Sequence, residues 1–126
     1  MLYRNILLID DDEDDQEIFI SALEELTDQV SCTPLDNAPD ALKFLENGNH
    51  PDVIFLDLNM PVMNGQQFLA IVKQTAALKE IPVVIFSTSS NAETIRQTHE
   101  LGADGFITKP DNFRDLIRVL QDFLKL

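Results

Sequence analysis

Apolar residues gather in five short blocks, and each block is followed by a stretch with helical spacing. Residues 5–10 (NILLID), 52–57 (DVIFLD) and 81–87 (IPVVIFS) are near-continuous apolar runs. Runs of this length read as strands buried on both faces. Residues 30–35 (VSCTPL) and 105–108 (GFIT) are weaker strand patterns, and Pro34 places the first of them at an edge or a strand end. Between the strands, Phe19, Ala22, Leu23 and Leu26 share one face of a first helix, with Asp12 as its cap. Ala38, Ala41, Leu42 and Leu45 form the stripe of a second helix, capped by Asn37, with Pro39 tolerated in its first turn and Gly48 at its end. Pro61 and the turn-like Asn64-Gly65 lead into a third helix carrying Phe68, Leu69 and Val72. A fourth, over 92–101, is stopped by Gly102 and has few apolar residues beyond Ile95 and Leu101. Phe113, Leu116, Ile117, Leu120 and Leu124 give the fifth helix the cleanest amphipathic spacing in the chain.

A strand followed by a helix, five times over, predicts an α/β fold: a doubly wound (βα)5 arrangement with a five-stranded parallel sheet and helices on both faces. The length of 126 residues suits one domain over 1–126. No linker, repeat or output domain is expected.

Charge narrows the partners. The net charge is −13, which argues against direct binding of nucleic acid or an anionic membrane surface. The single cysteine, Cys32, cannot build a disulfide framework and reads as a small core hydrophobe. The apolar runs are too short to span a bilayer, and the N-terminal residues lack a signal-peptide pattern, so a cytoplasmic location is expected.

In a doubly wound sheet, functional groups collect at the carboxyl ends of the strands. The first strand runs into Asp10 and Asp11, the third into Asp57, the fourth into Ser87 and Thr88, and the fifth into Thr108 and Lys109. Three carboxylates and one ammonium leave a local charge of about −2, which a divalent cation would balance, and oxygen ligands that leave room for water suit Mg2+. An Asp inside an apolar run is costly without a metal or partner, so Asp57 reads as functional. Asp12, Glu13, Asp14 and Asp15 read instead as a cap and a solvated first turn, where acids are favourable. An EF-hand loop starting at Asp10 fails, because Asp15 stands at its glycine position and Ser21 at its final glutamate. His50 and His99 lack ligand company and read as surface residues.

Asp10-Asp11 after the first strand, Asp57 in FLDLNMPVMNG, Ser87 in VVIFSTSS and Lys109-Pro110 after GADGFIT together resemble the CheY-like receiver domain of two-component response regulators. The likeness covers essentially the whole chain and implies strand order 2-1-3-4-5. It implies Asp57 as phosphoryl acceptor, and Mg2+ bound by Asp11, Asp57 and the backbone carbonyl of Asn59, with Asp10 in support. It implies Lys109 and Ser87 as phosphoryl contacts and a cis Lys109–Pro110 peptide. Ser87 and Phe106 would form a switch that alters the surface of the fourth helix, fifth strand and fifth helix. Phe106 stands where many members carry tyrosine, and Ser87 where threonine is also common. The expected donor is a sensor histidine kinase or a histidine phosphotransfer protein, and a downstream protein target is expected to read the switched surface. The protein itself is expected to catalyse only its own phosphorylation and dephosphorylation.

Two other classes stay in view. A haloacid-dehalogenase-type phosphatase would use the acids after the first strand, but Asp14 departs from its pattern and Asp57 would lack a role. A flavodoxin would need a Ser/Thr/Gly-rich phosphate loop where this chain has acids.

Overall fold

Strands and helices alternate without exception in the computed structural model, which describes residues 3–126. In chain order they are β1 (Asn5–Ile9), α1 (Glu13–Leu26), β2 (Ser31–Leu35), α2 (Ala38–Glu46) and β3 (Val53–Leu56). They continue as α3 (Gly65–Gln74), β4 (Val83–Ser87), α4 (Ala92–Glu100), β5 (Gly105–Thr108) and α5 (Phe113–Leu124). The strands pair in parallel in the order β2-β1-β3-β4-β5, as the receiver likeness implied. Parallel neighbours need a crossover between them, and the helices supply it.

The side-chain period of two in a strand divides the core into two layers. Leu7, Ile9, Ile54, Leu56, Val83 and Ile85 face α2 and α3, meeting Ala38, Ala41, Leu45, Phe68, Leu69 and Val72. Ile6, Leu8, Val53, Phe55, Val84 and Phe86 face α1 and α5, meeting Phe19, Ala22, Leu23, Leu116, Leu120 and Leu124. Apart from Asn5 at the start of β1 and Ser87 at the end of β4, the central strands β1, β3 and β4 are therefore apolar on both faces. Strand β2 is an edge, and Pro34 is exposed there.

Every helix starts at an Asp or Asn whose side chain accepts backbone N–H groups of the first turn: Asp12, Asn37, Asn64, Asn91 and Asn112. At Asn64 the cap is reciprocal, since the Gln67 side chain accepts from the Asn64 N–H. The Asn64-Gly65 pair is more than a turn. A Cβ on Gly65 would lie 2.6 Å from the Asp57 carbonyl oxygen and 2.8 Å from Leu58 Cα, so α3 can start this close to the end of β3 only with glycine.

The structure corrects three expectations. The acids Asp10 and Asp57 lie one residue beyond β1 and β3 rather than inside them. Helix α4 ends at Glu100, one residue early, because Leu101 already turns toward Gly102 at φ 105°. The Lys109–Pro110 peptide is trans, against the expected cis form; no cis bond occurs among the described residues. Trans is the lower-energy isomer before proline, and Lys109 reaches its acidic partners in that form. No helix among the described residues is long and apolar enough to cross a membrane.

Candidate metal and phosphoryl site

The carboxyl ends of β1 and β3 are neighbours in the sheet, and this brings Asp10 and Asp57 together. The Asp57 N–H donates to the Ile9 carbonyl at 2.9 Å, and the Asp10 N–H donates to the Leu35 carbonyl at 3.1 Å. Both side chains are buried, Asp10 at 1% exposure and Asp57 at 6%. Asp10 Oδ1 accepts the Asp12 N–H at 3.0 Å, and Asp57 Oδ1 accepts the Leu58 N–H at 2.8 Å. Asp11 is exposed, yet one carboxylate oxygen from each of Asp10, Asp11 and Asp57 falls within 4.8 Å of the others.

Lys109 crosses from the end of β5 into this cluster. Its Nζ donates to Asp10 Oδ2 at 2.8 Å and to Asp15 Oδ2 at 2.9 Å, and stands 3.6 Å from Asp57 Oδ2. The Phe86 ring lies 5.8 Å from the ammonium. Burial opposes the charged lysine, but its hydrogen bonds to Asp10 and Asp15 and the charges of Asp10 and Asp57 outweigh burial, and its pKa is raised. Burial raises the Asp10 carboxyl above its ordinary value, and the Lys109 and Asp12 hydrogen bonds only partly oppose it.

Asp15 was expected on a solvated helix face and turns out to hold Lys109. With Asp12 as cap, Asp15 lies in the first turn, but so do Glu13 and Asp14, and nothing along the chain singles it out from them. Gln16 had no signal either. Its Nε2 donates to the Asp10 carbonyl at 2.7 Å and to the Leu35 carbonyl at 3.2 Å, tying α1 to the ends of β1 and β2.

Ser87 closes β4 and is fully buried; its Oγ accepts the Ser89 N–H at 3.2 Å, and its carbonyl accepts the Lys109 N–H at 3.0 Å. Thr88 is exposed beside it. Asn59 sits in a tight loop, with Met60 N–H and Gly65 N–H both donating to the Leu58 carbonyl. Phe106 is half-buried on β5, away from the acids. It lines a groove of about 570 Å³ with Ile95, Thr98 and His99 of α4. His50 and His99 are exposed, and burial pushes the Cys32 thiol up to about 12, as suits a small core hydrophobe.

The donor set suits a hard divalent cation. Octahedral ligands at the Mg2+ distance are separated by about 3 Å when adjacent and about 4 Å when opposite, so oxygens within 4.8 Å of one another need only a small closure.

Comparison with known proteins identifies the family. A model of the response regulator receiver domain matches residues 6–121. The response regulator Rcp1 of Synechocystis sp. is 34% identical over 122 residues, covering 92% of this chain and 83% of Rcp1. The crystal structure of the phosphorylated cyanobacterial phytochrome response regulator RcpA aligns with a TM-score of 0.89 at 30% identity, over 98% of this chain and 92% of that one. The Mn2+-bound form of Rcp1 gives 0.86 at 32% identity, over 98% and 93%. With nearly the whole chain matched, the protein belongs to the response regulator receiver family of two-component signalling.

Proposed function

We propose that this chain accepts a phosphoryl group on Asp57 from a sensor histidine kinase or a histidine phosphotransfer protein. The observation that carries the reading is the buried Asp57 carboxylate, with Lys109 Nζ 3.6 Å from its Oδ2 and two further acids alongside. An Asp57 oxygen attacks phosphorus while the bond from phosphorus to the donor imidazole nitrogen breaks. The imidazole leaves with the electron pair and takes up a proton. Such a transfer asks for positioning and charge neutralisation more than for covalent help.

Lys109 is poised to follow the new charge, since a closure of under ~1 Å brings its ammonium to hydrogen-bond distance. Ser87 would donate its hydroxyl to a phosphoryl oxygen, and the small Thr88 leaves a path to Asp57. Asp10, Asp11, Asp57 and the Asn59 carbonyl would hold Mg2+. When bound, the ion supplies positive charge that offsets the phosphoryl oxygens. The manganese-bound form of the relative Rcp1 and the phosphorylated form of RcpA support both halves of the reading. The chain would act as a switch that modifies and hydrolyses itself, not as an enzyme turning over an external substrate. Displacement of the Ser87 loop would then bias Phe106 and the surface of α4, β5 and α5 toward a second arrangement that a target protein reads.

Intact-mass spectrometry after incubation with acetyl phosphate tests this reading, with and without Mg2+, on wild type and Asp57→Asn. One added phosphoryl group is expected, dependent on Mg2+ and lost in the variant. An adduct that survives Asp57→Asn would refute Asp57 as the acceptor.

A further inference from the structure

The loops that follow β3 and β4 are tied together across the mouth of the site. Leu56 of β3 is in register with Ile85 of β4, so the two chains leave the sheet side by side. Two residues beyond Asp57, the Asn59 side-chain amide donates to Ser89 Oγ at 2.9 Å. The backbone N–H of the same Ser89 donates to Ser87 Oγ at 3.2 Å. The three side chains thus form one chain of contacts from the β3 loop, through Ser89, to the hydroxyl expected to meet the phosphoryl group. Nothing else among the described side-chain hydrogen bonds joins these two loops.

We infer that Ser89 is a positioning residue: its hydrogen bond with Asn59 is a latch that keeps the Ser87 hydroxyl bound to its own loop in the resting protein. The inference rests on the acceptor role proposed for Asp57 and goes beyond it. For Ser87 to turn toward a phosphoryl group, its Oγ must either leave the Ser89 N–H or carry residues 88–90 with it. The second route breaks the Asn59 bond. We take delivery to follow this second route, so the latch lowers the fraction of molecules in which Ser87 is delivered, and the phosphorylation rate falls in proportion. A single net hydrogen bond between partly solvated groups corresponds to a factor of about five.

The experiment measures the initial rate of Asp57 phosphorylation by limiting acetyl phosphate with Mg2+, in wild type, Ser89→Ala, Asn59→Ala, the double variant and Ser89→Thr. In this reaction the Asp57 oxygen bonds to phosphorus and acetate leaves with the electron pair of the broken P–O bond, so no other reactant is needed. Asn59→Ala keeps the backbone carbonyl assigned to the metal. The expected result is a rise of about fivefold in each single variant, no further rise in the double, and a return to the wild-type rate in Ser89→Thr. Melting curves of each variant confirm that it is folded before its rate is compared. Unchanged rates in both single variants, or multiplicative effects in the double, overturn the latch while leaving the acceptor reading intact. A wild type that takes no label from acetyl phosphate and also binds no Mg2+ overturns the acceptor reading, and the latch with it.

Discussion

Replacing Gly65 by alanine pits two opposing effects against each other, and the geometry says which wins. Gly65 is the first residue of α3, and glycine to alanine in a helix is ordinarily favourable by up to about 1 kcal/mol. Here the added Cβ would meet the Asp57 carbonyl oxygen at 2.6 Å, and Leu58 Cα and Cδ2 at 2.8 Å each. The two backbone atoms cannot swing aside as a side-chain tip can. Relief requires α3 to retreat from the end of β3 by several tenths of an ångström, in a layer where Phe68, Leu69 and Leu58 are fully packed. Overpacking of this kind costs about 1–3 kcal/mol. The clash outweighs the propensity gain, and Gly65→Ala is expected to be about 1–2 kcal/mol less stable than wild type. The same retreat pulls, through the Gly65 N–H, on the Leu58 carbonyl next to Asp57, so labelling by acetyl phosphate should slow as well. Urea denaturation with an unchanged slope reads the first effect, and intact mass reads the second. A variant as stable as wild type, or more stable, would refute the close approach of α3 to Asp57.

Three further outcomes follow from the same structure. Mg2+ should stabilise the wild type by about 1.4 kcal/mol at tenfold its dissociation constant, and Asp57→Asn should lose most of that shift; equal shifts in thermal melts of both proteins would count against the three-acid site. Asp12→Ala removes the acceptor for the Asp14 and Asp15 N–H groups and should cost about 1 kcal/mol in urea denaturation, while leaving Lys109 to hold Asp10. Burial raises the Cys32 thiol from 9.0 to about 12, so at pH 8 alkylation of the folded chain should be about a thousandfold slower than in urea, and equal rates would show the thiol to be accessible.

Much of this protein is local, and local features are readable along a chain. Near-continuous apolar blocks mark β1, β3 and β4 because a strand buried on both faces has few polar positions to spare, while the edge strands β2 and β5 leave weaker patterns. Two helix starts were legible at Asp12 and Asn37, since a cap needs only an acceptor two or three residues ahead of the amides it satisfies; the caps at Asn64, Asn91 and Asn112 emerged with the structure. The polar residues at strand ends, Asp10, Asp57, Ser87 and Lys109, stand out because each interrupts an apolar run.

Tertiary structure decided what depends on contacts between distant segments. Periodicity does not say which strands pair; the order β2-β1-β3-β4-β5 entered through family likeness, and only that order sets the end of β3 between those of β1 and β4. Asp15 shares a run of acids with Asp14, and only the reach of Lys109 from the end of β5, 94 positions away, separates their roles. The seat of Gly65 against Asp57 and the Asn59–Ser89 bridge are likewise set by how the sheet brings loops together. Neighbours three or four positions apart meet whenever a helix forms, but residues thirty or more positions apart meet only through the crossovers and packing of the whole domain.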